Sequence, residues 1–416
     1  MKAKQAVNLC RTLGAAALTV VAAVTVQAQV PANIEAELLK IGQIVDPACT
    51  AKLYRPLMPK NDFNTYWPPD APAPVSTGQL YPGITIARDQ SFGSNPKDVV
   101  DIFSADKGGG NRPVLIYVPG GGGNKVEQQV RESNAFYDNI GRWATKNGMV
   151  GVLVQRHPGT GNWDDGGRDI SLAVDWIEEN IAKYKGDPNR MFIWAHSAGN
   201  GPLGVYVGHP DRWKNGVQVK GAIFMSGNPV QGLGGVGRGA VPPGPGRPGG
   251  PGAPGAGAPG FGGGRAPGSA CGVTAGMAGN DGAVAGPSGQ RTAGFGPGGP
   301  GGPGAPGGPG RGGQALTAEQ QAERDNLPGL KATNVKIMIA FAELDPGVMN
   351  GAMPANAVAL HDELCNVDGS KAKEGVGHCP TMLMAKGESH VSEVFSIDTS
   401  DKIVSGPILE FIKKVK

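Results

Sequence analysis

The chain has 416 residues, including 70 glycines and 36 prolines, with 6% aromatic residues and a formal net charge of +3. Residues 1–28 carry three of the 38 lysines and arginines and none of the 35 acidic residues, so the rest of the chain is formally neutral. This balance gives no indication of a basic nucleic-acid-binding surface or a basic membrane-binding patch, so neither partner is expected.

The first 28 residues have the pattern of a cleaved secretory signal. Positive charges at Lys2, Lys4 and Arg11 precede a short apolar stretch over residues 13–26. Small residues then predict cleavage after Ala28. A membrane-spanning helix needs about 20 apolar residues, so we expect no stable membrane insertion after cleavage, with an uncleaved anchor as the alternative. The sequence therefore predicts a periplasmic or secreted protein.

Export leaves four cysteines, Cys49, Cys271, Cys365 and Cys379. In an oxidising compartment they can pair in more than one way. A disulfide between Cys365 and Cys379 would close a short loop and is the preferred prediction, whereas unpaired buried thiols are the alternative. No CxxC motif or His/Cys cluster indicates a ligand set, so we expect no metal site.

The segment after the signal, residues 29–82, is predicted to be an N-terminal arm. A helix is expected at residues 33–44. Residues 61–81 are rich in proline and aspartate, which predicts an extended segment that wraps the surface.

From residue 83 onward, strand-like and helix-like segments alternate. Strands are predicted at residues 83–89, 98–104, 113–118, 149–156, 191–195, 221–225, 335–341 and 381–385. Helices are predicted at residues 137–147, 170–181, 355–364 and 407–415. Because several strands are apolar throughout, the pattern is typical of a mostly parallel sheet with helices on both faces. The predicted fold class is α/β, in one domain over residues 83–416.

A glycine- and proline-rich block at residues 231–315 interrupts this domain. It has almost no apolar residues and no periodicity, which predicts a disordered insertion. Strand and helix patterns resume after the block, so we interpret it as an insertion within one domain and not as a linker between two.

A serine lies in a sharp-turn pattern between a predicted strand and a predicted helix. Ser197 has the small residues Ala195 and Gly199 two positions before and after it. A nucleophile elbow requires small residues there because its strained turn brings backbone atoms close together. The pattern predicts Ser197 as a nucleophile, and the alternative is that Ser197 only caps the following helix.

Four glycines, residues 120–123, follow the predicted strand at residues 113–118. Backbone N–H groups at such a strand end can donate to a developing oxyanion because no side chain is in the way. Gly121, Gly122 and Ala198 are therefore predicted to form an oxyanion hole, and a flexible turn is the alternative. A nucleotide-phosphate loop is excluded because the GxxxxGK[ST] pattern is absent.

Two acids and two histidines are candidates for the remaining catalytic groups. Glu343 and Asp345 both follow a predicted strand; Asp345 is the first choice and Glu343 the alternative. His378 precedes the last predicted strand, whereas His390 follows it and should lie at the same sheet edge as Ser197. His390 is therefore the predicted base, with a surface-loop histidine as the alternative.

With these residues, the chain resembles the esterase/lipase group of the α/β-hydrolases, related to hormone-sensitive lipase and bacterial feruloyl-esterase-like proteins. The resemblance covers about residues 83–231 and 326–416. Its most specific motifs are Gly186-Asp187-Pro188-Asn189-Arg190 before His196-Ser197-Ala198-Gly199, Glu343-Leu344-Asp345-Pro346, and Ser389-His390-Val391-Ser392-Glu393. It implies an α/β-hydrolase fold, the triad Ser197, Asp345 and His390, and ester hydrolysis without a cofactor. The chain departs from the family at Pro119, where a histidine is usual, and at the cap position, which the glycine- and proline-rich block occupies.

The predicted function is that of an exported serine hydrolase acting on a small-molecule carboxylic ester through an acyl-enzyme. The first alternative is a peptidase or acyltransferase that uses the same triad. The second is a non-catalytic binding or matrix protein in which the triad is vestigial. A dehalogenase is unfavoured because its elbow would carry aspartate in place of Ser197.

Overall fold

The computed structural model describes residues 30–58, 81–125, 135–156, 162–230, 233, 316–346, 353–367, 370–376 and 378–415. Within them the strands are β1 (Ile84–Ser91), β2 (Val99–Ala105), β3 (Arg112–Val118), β4 (Val150–Val154), β5 (Gly186–His196), β6 (Gly221–Met225), β7 (Lys336–Leu344), β8 (Asn366–Val367), β9 (Ser370–Lys371) and β10 (Thr381–Ser389). The helices are α1 (Ala32–Ile41), α2 (Pro47–Tyr54), α3 (Ala135–Lys146), α4 (Asp165–Asn180), α5 (Asn200–Gly208), α6 (Ala318–Glu323), α7 (Leu327–Ala332), α8 (Met353–Cys365), α9 (Ser392–Phe395) and α10 (Ser405–Lys414).

The main sheet has eight strands in the order β1-β2-β4-β3-β5-β6-β7-β10. The pairs β1/β2 and β2/β4 are antiparallel, and the pairs from β4 to β10 are parallel. The prediction of a mostly parallel sheet is confirmed. Strands β6 and β7 pair directly, with Gly221 opposite Lys336, so the chain on both sides of the predicted insertion builds one sheet.

Apolar side chains fill both faces of the sheet because successive residues of a strand point to opposite sides. In β3, Leu115 and Tyr117 face a cluster covered by α1, α2, α3, α9 and α10. Val114, Ile116 and Val118 face a second cluster, covered by α4, α5, α7 and α8. The predicted helical layers on both faces are therefore confirmed.

The described part of the predicted N-terminal arm is helical and packed. Helix α1 ends at Ile41, where Gly42 follows with a positive φ of 76°. Helix α1 contacts β10, and α2 contacts α9. The predicted signal (residues 1–28), nearly all of the predicted extended segment (residues 61–81) and most of the predicted insertion (residues 231–315) lie outside the described residues. No helix in the described ranges combines the length and hydropathy needed to cross a membrane.

A disulfide joins Cys365, at the end of α8, to Cys379, just before β10, and the two positions are 14 residues apart. Cys49 in α2 is also disulfide-bonded. The Cys365–Cys379 bond links the end of α8 to the segment before β10, and both cysteines are buried.

Candidate active site

Parallel strands bring their carboxyl ends to one edge of the sheet, and three of the predicted site residues follow such ends. Ser197 follows β5, Asp345 follows β7 and His390 follows β10. Nε2 of His390 lies 2.9 Å from Oγ of Ser197, and Nδ1 of His390 lies 2.8 Å from Oδ1 of Asp345. The structure thus brings the serine, the histidine and the aspartate into one hydrogen-bonded chain.

The turn that carries the serine is strained and closely packed. Ser197 has a positive φ of 52°, a conformation that is costly for a residue with a side chain. A Cβ atom at Gly199 would lie 2.7 Å from the carbonyl oxygen of Val118, so only glycine fits there. The side chain of Asn200 donates to the carbonyls of Ser197 (2.9 Å) and Met225 (2.7 Å). These contacts hold the serine hydroxyl at the sheet edge.

The carboxylate of Asp345 is buried and fixed by two further donors. Oδ2 accepts the Ser226 hydroxyl at 2.6 Å and the backbone N–H of Ala342 at 2.9 Å, which leaves Oδ1 for His390. Glu343, the alternative acid, is exposed, and its carboxylate accepts a backbone N–H from β10. Of the two candidates, Asp345 is therefore the one that contacts the imidazole.

The glycine loop after β3 lies directly against the serine. A Cβ atom at Gly120 would lie 2.6 Å from Cβ and 3.3 Å from Oγ of Ser197, so a side chain is excluded. The loop turns back where the N–H of Gly123 donates to the carbonyl of Gly120 at 2.9 Å. The N–H groups of Gly121 and Gly122 have no acceptor within the described part of the chain. They remain available to a ligand.

His196, next to the serine, supports the loop of the second histidine. Its Nε2–H donates to the carbonyl oxygen of His390 at 2.8 Å. The same nitrogen lies 3.1 Å from a carboxyl oxygen of the fully buried Glu393. Burial raises the pKa of Glu393 well above its usual range, the negative charge of Asp345 raises it further, and His390 opposes the shift. Burial behind the histidine therefore favours the neutral form of the Glu393 carboxyl group.

Replacing Glu393 by glutamine should make stability less dependent on pH. The unfolded chain loses this proton near the ordinary pKa of 4.5, whereas the folded protein keeps it, so wild-type stability falls as pH rises above 4.5 until the raised folded pKa is passed. In the wild type, the free energy of unfolding should fall by at most about 1.4 kcal/mol per pH unit from this group, and the variant should lack that fall. Urea unfolding of both proteins between pH 4 and 8 measures the difference.

The matched control for this variant is Glu410→Gln, because Glu410 is exposed on α10. Its unfolding free energy should follow the wild-type pH profile. Parallel profiles for wild type and Glu393→Gln would show that Glu393 is not held neutral by the fold.

A buried acidic cluster lies beneath the loop that carries His390. The hydroxyl of Tyr54, in α2, lies 3.1 Å from a carboxyl oxygen of Glu388 and 3.4 Å from one of Asp401. The Ser392 hydroxyl donates to Glu388 and accepts the N–H of Ser389 at 2.7 Å. Burial, followed by the charge of Asp401, raises the pKa of Glu388 well above its usual range. The N-terminal helices thus help to hold the histidine loop.

Some side chains at this edge were not among the predicted site residues. Ser226 and Arg156 follow the carboxyl ends of β6 and β4, and the sheet-edge rule would have pointed to both. Glu393 and His196 lie within the motifs quoted for the family resemblance, but nothing in those motifs assigned a role to either side chain. Their positions become visible only when β5 and β10 lie in one sheet.

Within the described ranges, two clusters combine side chains of the metal-ligand type: His361, Cys365 and Cys379, and His196, His390 and Glu393. The two cysteines of the first are joined to each other, and the second belongs to the hydrogen-bonded site. Both clusters therefore have roles that require no metal ion.

Residues 96–233 match the model of the carboxylesterase family. The matching span includes the glycine loop and Ser197 and ends before Asp345 and His390, which the fold brings to the same edge. The chain resembles the esterase/lipase group of the α/β-hydrolases.

Individual relatives match this chain over short segments. The chain is 30% identical over 130 residues to Secreted lipase 5 of Gibberella zeae, and this match covers 28% of the chain and 23% of the relative. The chain is also 28% identical over 110 residues to Chlorogenic acid esterase of Aspergillus niger, and this match covers 24% of the chain and 20% of the relative. The matches span less than a quarter of these relatives' lengths. The structure of a thermostable esterase from Pseudomonas putida is 12% identical, with a TM-score of 0.47 over 92% of this chain and 96% of that one.

Proposed function

We propose that this protein is a serine hydrolase of the α/β-hydrolase type that cleaves carboxylic esters of small molecules. Ser197 is the nucleophile, His390 the general base and Asp345 the group that orients the imidazole. One observation carries the proposal: Nε2 of His390 is 2.9 Å from the serine hydroxyl and Nδ1 is 2.8 Å from the aspartate. Each distance is within hydrogen-bond reach, as general-base activation of a nucleophile requires.

The acylation step begins when Oγ of Ser197 attacks the ester carbonyl carbon and its proton passes to Nε2 of His390. The carbonyl oxygen then carries a negative charge, and Asp345 stabilises the imidazolium that has formed. His390 gives its proton to the leaving alkoxide, the carbon–oxygen bond of the ester breaks, and the alcohol departs. The acyl group remains bonded to Ser197.

The deacylation step repeats the same proton movements with water. His390 removes a proton from a water molecule, which attacks the acyl-enzyme. The second tetrahedral intermediate collapses when His390 returns the proton to Oγ of Ser197. The products are the free carboxylic acid and the regenerated serine.

The oxyanion hole in this proposal consists of the backbone N–H groups of Gly121, Gly122 and Ala198. The glycine loop packs against the serine, and its two glycine donors have no acceptor elsewhere in the described chain. Donors fixed before the reaction stabilise the charge without a reorganisation cost at the moment it develops.

A panel of substrates tests this function and separates it from the peptidase alternative. Purified protein should hydrolyse p-nitrophenyl acetate and p-nitrophenyl butyrate, and the similarity to a chlorogenic acid esterase supports adding chlorogenic acid. It should cleave matched p-nitroanilides far more slowly, because an amine is a poorer leaving group than a phenolate. Faster cleavage of the anilides would favour a peptidase, and no turnover of any ester would contradict the proposal.

We infer in addition that the protein is exported, with residues 1–28 removed. The basic start followed by a short apolar stretch supports this, and so does a disulfide between Cys365 and Cys379, since disulfides persist in oxidising compartments. A relative is named as a secreted lipase. The periplasmic or secreted protein should begin at Gln29 on N-terminal sequencing, and a protein retained with Met1 would contradict export.

A further inference from the structure

Arg156 is bonded to the backbone of the glycine loop at several points. Its Nε–H donates to the carbonyl of Pro119 at 2.8 Å. Its Nη2 donates to the carbonyls of Gly120 at 3.3 Å and Gly121 at 3.0 Å. Its backbone N–H donates to the carbonyl of Gly123 at 2.7 Å. One arginine, placed just after β4, therefore contacts most of the loop from its carbonyl side.

These carbonyls belong to the same peptide groups as the proposed oxyanion donors. The carbonyl of Gly120 and the N–H of Gly121 form one peptide group, and the carbonyl of Gly121 and the N–H of Gly122 form the next. The described chain has no cis peptide bond, so in each group the C=O and N–H point in opposite directions. A guanidinium that holds the carbonyls therefore aims the N–H groups of Gly121 and Gly122 away from itself.

The loop has little else of its own to fix this orientation. Pro119 has no backbone N–H, and the following glycines have no side chains and are free to adopt many backbone conformations. A Cβ atom at Gly123 would lie 2.6 Å from Cβ of Arg156 and 3.2 Å from its guanidinium carbon, so loop and arginine are in direct packing contact. The planar fork of arginine suits several carbonyls at once, which a lysine ammonium does not.

The positive charge also acts on the peptide groups that it touches. Hydrogen bonds to a carbonyl polarise the peptide and strengthen donation by its N–H. Burial lowers the pKa of Arg156, and the negative charge of Asp169 on α4 opposes that shift. Arginine remains charged at any physiological pH, so the carbonyl side of the loop carries a fixed positive charge.

We propose that Arg156 is a positioning residue that holds and polarises the backbone donors of Gly121 and Gly122 for the oxyanion. The inference rests on the proposed ester hydrolysis. The hydrogen bonds of the Arg156 side chain within the described chain go to the loop carbonyls and not to Ser197, His390 or Asp345, so its contribution should appear only when charge develops on the carbonyl oxygen. Its removal should therefore lower kcat and leave KM nearly unchanged.

The test compares Arg156→Gln and Arg156→Lys with the matched control Arg112→Gln. The side chain of Arg112 also donates to carbonyls of a glycine-containing loop, those of Lys107 and Gly109, but at the start of β3, the opposite end from the serine. With p-nitrophenyl acetate, Arg156→Gln should lose about 10- to 100-fold in kcat, at or below the cost of losing one direct donor. Arg156→Lys should lose less, and Arg112→Gln should match wild type.

A second measurement separates positioning from a general structural role. A trifluoromethyl ketone adds to the serine as a tetrahedral oxyanion, so its affinity should fall in Arg156→Gln in parallel with kcat/KM. The affinity of the carboxylic acid product should stay unchanged. Thermal unfolding identifies any variant that is not folded. If Arg156→Gln is unfolded, Arg156→Lys decides the outcome through its kcat and through its affinities for the ketone and the product.

The inference is wrong if the folded Arg156 variants keep the wild-type kcat, or if the ketone and the product lose affinity equally. It is also wrong if Arg112→Gln loses as much kcat as Arg156→Gln. These outcomes leave the proposed function intact, because wild type still hydrolyses the ester. If wild type hydrolyses no ester, the proposed function fails, and the role of Arg156 in it fails too.

Discussion

Alanine in place of Ser197 should lower kcat for p-nitrophenyl esters by about 10⁶-fold, the cost of removing the nucleophile from a triad that acts as a unit. Within the described residues, the Ser197 hydroxyl is the group that donates to Nε2 of His390, at 2.9 Å. Without it no acyl-enzyme forms. A residual rate above the uncatalysed reaction should persist, because the oxyanion donors and the binding surface remain.

The control for this variant is Ser91→Ala, which removes an exposed hydroxyl on β1 that donates to the carbonyl of Gly93. It should keep the wild-type kcat. Steady-state kinetics and a thermal unfolding curve on all three proteins complete the comparison. An Ser197→Ala protein that is folded and keeps more than a small fraction of the wild-type kcat would show that another group attacks the ester.

Asparagine in place of Asp345 should lower kcat by about 10⁴-fold with little change in fold. The carboxylate accepts the Nδ1–H of His390 at 2.8 Å and so leaves Nε2 free to accept the serine proton. An amide placed in the same position can offer its NH₂ to Nδ1, which favours the tautomer with the proton on Nε2. The imidazole then cannot act as a base toward Ser197. The loss should appear in kcat at pH 7 with KM nearly unchanged.

Glu343→Gln is the matched control, since Glu343 lies two residues before Asp345 on the same strand end and is exposed. The exposed glutamate accepts a backbone N–H from β10 and does not contact His390. The kcat loss in Glu343→Gln should therefore be orders of magnitude smaller than the loss in Asp345→Asn. A large kcat loss in Glu343→Gln, together with normal turnover in Asp345→Asn, would reverse the two assignments.

The sequence predicted the sheet well because apolar runs mark buried parallel strands. Strand β6 was predicted with its observed bounds, Gly221–Met225. Strand β5 was predicted too short, at residues 191–195, because Gly186 and Pro188 look like a helix stop and not like a strand. In the sheet, Gly186 pairs with Arg112 across an irregular register, and this long-range pairing extends the strand. No local pattern contains that contact.

The triad geometry was predictable for a similar reason. Once the strands are parallel, residues after their carboxyl ends meet at one edge, and that rule favoured His390 over His378. Ser197 was predicted from the elbow pattern. The sequence could not choose between Glu343 and Asp345, because the choice depends on which side chain points into the space below the imidazole. The Ser226 hydroxyl and the N–H of Ala342 hold the aspartate there.

The supporting residues were not predicted, because each acts through partners that are distant in sequence. Arg156 holds a loop about 35 residues earlier in the chain. Tyr54 reaches the acidic cluster under the histidine loop, 334 residues away from Glu388. Residue type alone indicated neither role. The position of Arg156 after β4 points to the sheet edge, but its bonds to the glycine loop are seen only in the folded structure.

The central claim is that the serine at the elbow is an activated nucleophile, and covalent labelling measures this most directly. Folded wild-type protein should react with one equivalent of a fluorophosphonate probe, and peptide mapping should locate the adduct on Ser197. The folded Ser197→Ala protein should take up none. Absence of labelling in wild type, or an adduct on another residue that survives in Ser197→Ala, would contradict the account.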